Sequence, residues 1–195
     1  MCRFSFRSGI PLQLLDTVIE SDRLRLTPTT ADDADTIFET FTADVTRYMF
    51  PEPARRPQDT LEFIRKSREA TEAGANLQLT ISSKSAGEFL GCCGLHGHES
   101  VRVPELGVWI KQQAHGHGYG KEAVVALVSW AVDHLDINGF VYPVDRRNAA
   151  SRRIPEALGG HIVSATMTAG LGGNRLEIVT YRIDASSIHA VSQAE

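Results

Sequence analysis

Three glycines at alternate positions, Gly116, Gly118 and Gly120, followed directly by Lys121, form the stretch of this chain best suited to grip a ligand. Lacking a Cβ, such residues let the backbone turn so that several consecutive N–H groups converge on one anion. Val124, Leu127, Val128, Ala131 and Leu135 then recur at helical spacing, which predicts a helix with one buried face. The unpaired N–H groups at the start of that helix, and the positive end of its dipole, add to the same focus. Residues 106–110 upstream are apolar and read as a strand. Strand, turn and helix together aim main-chain donors at a negative group.

Neither common nucleotide signature fits this loop, because GxxxxGK[ST] and GxGxxG both need glycines at offsets it lacks. Two HGH triplets, His96 to His98 and His115 to His117, raise the question of a metal. No Cys, Asp or Glu stands beside them at ligand spacing, so phosphate explains the second triplet better and no metal is expected.

The remaining composition narrows the class. A chain of 195 residues with 42% hydrophobic and 23% charged residues is long enough for one domain with a sizeable core. The formal net charge of -4 argues against general nucleic-acid binding. Three cysteines, two of them adjacent at Cys92 and Cys93, give neither a disulfide framework nor zinc-finger spacing, and a cytoplasmic location is expected. The first residues hold only a short apolar patch broken by Gln13 and Asp16, with no small-residue cleavage site, and no window is long enough to cross a membrane.

The elements that must hold the loop follow from periodicity. Residues 1–19 read as an irregular arm docked through Phe4, Phe6 and Leu12, and residues 21–28 alternate as a strand stopped by Pro28. Thr30 caps a helix that presents Ala34, Ile37, Phe38 and Phe41 on one face. A proline-punctuated loop, 47–57, precedes a second helix over 58–73 that ends at Gly74. Three strands in succession follow, around 77–82, 88–97 and 103–111, and then the central helix. The chain closes with a strand (139–145), a short helix after Asn148 and a pair of strands flanking residues 170–174. This order predicts an α/β (α+β) layered domain over 20–184, with residues 185–195 as a C-terminal tail.

His115 to Gly120 resembles the coenzyme A loop of the GNAT N-acetyltransferases, [RQ]xxGx[GA], with His115 in place of Arg or Gln. At larger scale, RLRL, FLGCCGL, ELGVWI with GHGYGKEA, and NAASRRIPEALG are similar, in order, to the landmarks of the RimJ/RimL-like branch of that superfamily. Two departures stand in the last landmark: Pro155 inside the helix, and Gly160 where an aromatic usually ends the motif. The resemblance implies a GNAT-like fold with a mixed, largely antiparallel sheet, acetyl-CoA as co-substrate, an amine acceptor (a protein N-terminus or a small amine), and an acceptor pocket walled by the first helices and the last hairpin. It is also compatible with a homodimer.

Site roles are carried over from the same resemblance. The strand Leu106 to Ile110 is to splay from its neighbour, freeing main-chain groups of Val108, Trp109 and Ile110 for the pantetheine arm. Gly116, His117, Gly118, Tyr119, Gly120 and Lys121 are to hold the diphosphate, with His115 at the head of the loop. Asn148 is to bind the pantetheine, and Ser151 is to stand near the sulfur as proton donor; both residue types also cap helices well. Glu105 is the first choice for general base, with His96 and His98 as substitutes because histidine titrates near neutrality. Tyr119 and Glu122 suit packing and the helix dipole. The cluster Arg146, Arg147, Arg152 and Arg153 either supplies one contact to the 3′-phosphate or is solvated surface charge, and the basic run at Arg55, Arg56, Arg65, Lys66 and Arg68 either greets an acidic acceptor or is a wet face. The competing reading is a non-catalytic acyl-CoA-binding module that keeps the loop and lacks acceptor chemistry.

Overall fold

The computed structural model describes residues 3–9, 12–97 and 99–192. Its centre is an eight-stranded sheet in the order β1-β2-β3-β4-β5-β6-β8-β7. The strands are β1 (Ile19–Glu20), β2 (Leu24–Pro28), β3 (Asn76–Ser83), β4 (Phe89–His96), β5 (Glu105–Ile110), β6 (Gly139–Asp145), β7 (His161–Ala169) and β8 (Arg175–Asp184). Every neighbouring pair is antiparallel except β5 with β6. Six helices flank the sheet: α1 (Ala34–Thr40), α2 (Ala43–Thr46), α3 (Pro57–Glu72), α4 (Tyr119–His134), α5 (Ala149–Ala157) and α6 (Ala185–Ser192).

Helices cover both faces, which is why β3 and β4 are buried over five and six consecutive residues and read as nearly continuous apolar runs. On one face α4 inserts Ala123, Val124, Leu127, Val128 and Ala131, all fully buried, into the main core with Leu79, Leu95 and Leu106. On the other, α1 and α3 contribute Ile37 and Ile64 to a smaller cluster around Cys92, against which Phe41, Phe89 and Trp109 pack. Alternation along β4 and β5 therefore sends Cys93 and Leu106 to one core and Cys92 and Trp109 to the other. Pro57 opens α3 at its first position, where a missing N–H costs nothing, and Gly74 follows its end at φ 73°.

The arm docks as expected through Phe4, which is buried, and through Phe6, which bridges to Leu135. Leu12 instead faces solvent. The segment read as a tail from residue 185 contains α6, with Ala185 and Ile188 buried. Pro155 lies inside α5, where its lack of an N–H removes one backbone bond, and the helix continues to Ala157. Gly160 N then donates to Pro155 O and Gly159 N to Glu156 O, closing the end as a Schellman motif with Gly159 at φ 75°. A Cβ at Gly160 would lie 2.7 Å from Pro155 O, so glycine replaces the expected aromatic where this closure is tight.

Candidate active site

The feature that makes room for a ligand is the divergence of β5 and β6. Their register consists of a single pair, Glu105 with Val141, extended by a bond from Val141 N to Pro104 O. Beyond that pair the strands separate. On the other side of β5, Lys111 N donates to Leu90 O, and the carbonyl of Trp109 approaches Gly91 so closely that a Cβ there would lie 2.1 Å away. Odd-numbered residues of β5 thus face β4, whereas the main chains of Val108 and Ile110 point into the gap. Trp109 departs from the expectation for this strand: its main chain belongs to the β4 ladder, and its indole packs on Phe41 and Phe89 at centroid distances of 4.9 and 5.8 Å.

The glycine loop stands at the open end of this gap. Gly116 and Gly118 have φ of 81° and 79°, a region costly for any residue with a Cβ. Gly118 is the N-cap of α4 and no side chain caps the helix. The intrahelical ladder begins with Glu122 N on Gly118 O, so the amides of Tyr119, Gly120 and Lys121 precede it. Gly120 differs from its neighbours: a Cβ there would meet Ile110 and Ile154 at 3.5 and 3.7 Å, ordinary contact distances. Residues 115–118 and Lys121 are exposed. This cradle of main-chain donors at a helix start that no side chain caps fits a diphosphate.

His115 and His117 brace the loop. His115 Nε2–H donates to Ile110 O at 2.7 Å, which occupies one lone pair of that carbonyl, and His117 Nδ1–H donates to His115 O at 2.8 Å. A third brace, Arg23, was not singled out in the sequence. Its Nη2 donates to His117 O at 3.1 Å, its Nε to Glu122 Oε2 at 2.7 Å, and its guanidinium lies 4.7 Å from the centre of the Tyr119 ring. Tyr119 in turn stacks on His117. Glu122 also accepts from Ser21 Oγ and Arg23 N. Burial pushes its carboxyl upward, but the hydrogen bonds from Ser21 and Arg23 outweigh this and hold it below the ordinary range. Glu122 thus ties residues 21–23, just before β2, to the first turn of α4, a role beyond the dipole contact expected of it.

Across the gap, Asn148 Oδ1 accepts from Ser151 N at 3.1 Å and so caps α5. The Ser151 hydroxyl is 2.8 Å from Tyr142 OH. Burial pushes the Tyr142 phenol up to about 12, against a smaller lowering by Ser151. Tyr142 is the second residue that sequence reading missed; in GFVYPVD it looked like any inward strand position. Of the four arginines nearby, Arg146 pairs with Glu177, Arg147 with the buried Asp145, and Arg152 with Glu156. Arg153 is exposed with no ion pair among the described residues.

Glu105 and His96 face each other in register across β5 and β4, and both are half-buried. His98, the other histidine weighed as a base, lies outside the described residues. His96 reaches over Gly107, where a Cβ would lie 3.2 Å from its Nε2, and it lines a cavity of about 360 Å³ with Phe41, Phe63 and Trp109. The last hairpin does not line this cavity: Leu171 N donates to Phe50 O and Asn174 Nδ2 to Arg47 O, so the hairpin tip braces the 47–50 segment from outside. Among the described residues no group of three or more His, Cys, Asp or Glu is arranged to hold a metal, and no helix is long and apolar enough to cross a membrane.

Comparison with known proteins gives a consistent result. A sequence model described as an acetyltransferase (GNAT) domain matches residues 23–161. An uncharacterised protein of Bacillus subtilis, YkkB, is 28% identical over 148 residues, covering 74% of this chain and 86% of its own. Among solved structures, the Salmonella typhimurium acetyl transferase that modifies the N-terminal serine of ribosomal protein L7/L12 superposes with a TM-score of 0.74 at 15% identity, covering 86% of this chain and 99% of that one. The microcin C7 self-immunity acetyltransferase MccE, solved in complex with acetyl-CoA and AMP, superposes with a TM-score of 0.72 at 18% identity, covering 84% of this chain and 93% of its own.

Proposed function

Because the chain belongs to the GNAT acetyltransferase family, we propose that it moves an acetyl group from acetyl-CoA to a primary amine by direct attack in a ternary complex. The observation that carries this reading is the pairing of an uncapped helix start at Gly118 with the splayed gap between β5 and β6. Acetyl-CoA, when bound, supplies an activated thioester.

The chain's own groups divide the remaining work. Amides of residues 116–121 hold the diphosphate. The main chain of Val108 and the N–H of Ile110 orient the pantetheine arm and the carbonyl to be attacked. Asn148 has its Oδ1 committed to the cap, so it offers its NH₂ group. Glu105, opposite His96, takes the amine proton directly, through the imidazole or through water. The Ser151 hydroxyl, hydrogen-bonded to a phenol that stays protonated at neutral pH, returns a proton on the leaving side. Arg153 is the remaining candidate for the 3′-phosphate.

Thiol release from acetyl-CoA, followed with N-terminal peptides, amino acids, polyamines and arylalkylamines, tests the proposal. Amine-dependent release with a matching acetylated product supports it. Coenzyme A binding without turnover on any amine would favour the non-catalytic module.

A further inference from the structure

The cavity beside His96 has a composition that selects among amines. It lies between the outer face of β3–β5 and a roof made by α1, residues 49–54 and α3. Its volume of about 360 Å³ is at the small end of the range for small-molecule sites. Most of the wall is hydrocarbon, from Ile37, Phe41, Met49, Pro51, Phe63 and Trp109. Phe63 is 51% exposed, and a large aromatic left half-bare at a cavity is surface that an apolar occupant would cover.

Charge points the same way. The basic run on α3 and the loop before it does not line the cavity: Arg55 pairs with Glu52, Arg56 with Asp59, and Arg65 and Lys66 with Glu62. The charged side chains that do line it are the carboxylates Glu52 and Asp59. Among the described residues, an acidic acceptor therefore meets no unpaired Lys or Arg at the lining. A polycation fares little better, because its second ammonium would leave water for a hydrocarbon wall with both carboxylates already paired. A single amine on an apolar body satisfies every surface.

The orientation is fixed by Gly107. With no side chain there, the His96 imidazole sits directly over β5, next to the strand whose main chain faces the gap. An amine nitrogen at that end has its body running back toward Phe41, Trp109 and Phe63.

We infer that this cavity is the acceptor site and takes a primary amine carried on a compact aromatic or branched aliphatic body, with Phe63 a specificity-determining residue. The inference rests on the N-acetyltransferase reading and names its substrate class. The step balances without a further reactant: the C–S bond to coenzyme A breaks, the C–N bond forms, the amine proton passes to the protein and the thiolate is protonated.

The test joins a binding and a kinetic measurement on the full chain. Phenethylamine and spermidine are titrated calorimetrically into the protein saturated with coenzyme A, and acetylation is followed for both and for peptides beginning with Phe or with Ser-Asp-Glu. Phenethylamine binding, and a kcat/KM for phenethylamine or the Phe peptide at least tenfold above spermidine and the acidic peptide, support the inference; the better of the two apolar substrates identifies the source. Phe63→Ser should weaken phenethylamine binding at least fivefold, whereas Leu61→Ser, an exposed change on the same helix outside the cavity, should leave it within twofold. Preference for spermidine or the acidic peptide, or equal effects of the two variants, overturns the inference and leaves N-acetyl transfer standing. Phenethylamine binding that is sensitive to Phe63→Ser, with no amine acetylated, overturns the transferase reading and leaves the site.

Discussion

Two glycines two residues apart should respond to alanine in opposite ways. Gly118 has φ 79° and ψ 3°, with only the far end of Arg23 within 4 Å of an added Cβ, so alanine there suffers backbone strain without a clash. That strain is about 1–2 kcal/mol. If the loop keeps its shape, the cost appears as lost stability, which for a chain of this size is about 2–4 °C of Tm per kcal/mol. If the loop instead relaxes, the same energy must be restored when the diphosphate binds, and Kd for coenzyme A rises roughly 5–30-fold. Gly120 lies within α4 and its added Cβ would meet Ile110 and Ile154 at ordinary contact distances, so Gly120→Ala should stabilise the protein by about 0.5–1 kcal/mol and leave Kd within a factor of about 2. Differential scanning calorimetry of the free protein and titration with coenzyme A read both quantities for each variant. An unchanged Tm and Kd for Gly118→Ala, or an equal loss for Gly120→Ala, would refute the account of how the loop is built.

Arg23→Ala removes the clasp on His117 O and Glu122, and with Arg23 half exposed the loss should be about 1 kcal/mol after solvent screening; coenzyme A titration should show a weaker Kd with kcat changed less than the Kd. Tyr142 has its pKa raised from 10 to about 12, so the folded state holds that proton more tightly than the unfolded chain does. Its contribution is complete below pH 10 and is lost as pH rises through 12, and Tyr142→Phe should flatten the fall in denaturant-measured stability over that window. Ser151→Ala should lower kcat more than KM in steady-state assays if the hydroxyl returns the proton, and leave both unchanged if it only partners the Tyr142 phenol. Glu105→Gln should lower kcat/KM by about 10²-fold or more and remove the acidic limb of the pH–rate profile; an unaltered profile assigns the base elsewhere, with His96→Gln as the next variant.

What the sequence displayed best was whatever periodicity or turn chemistry enforces locally. The strand 139–145 and the helical face of Val124, Leu127, Val128 and Ala131 were placed correctly because burial dictates their pattern. The loop was legible because the φ of Gly116 and Gly118 favours glycine over residues with a Cβ. Long-range pairings were not legible. Arg23 sits about a hundred residues from Glu122, and its role depends on β2 lying beside the start of α4. Nor could alternation alone show that Trp109 gives its indole to the cavity and its main chain to β4, since that depends on the register of one strand against another. The basic run at and before α3 read either as a surface for an acidic acceptor or as a wet face, because charge along a sequence does not reveal which acid each base meets; Arg65 and Lys66 meet Glu62, three and four residues away on the same helix.

The account depends on main-chain donors at the start of α4 holding the diphosphate. Calorimetric titration of the protein with coenzyme A and with pantetheine, which carries the arm and thiol but no phosphate, tests this most directly. Coenzyme A should bind at least a hundredfold more tightly than pantetheine, and Gly118→Ala should erode the former and spare the latter. Equal affinities for the two, or no heat with coenzyme A, would contradict it.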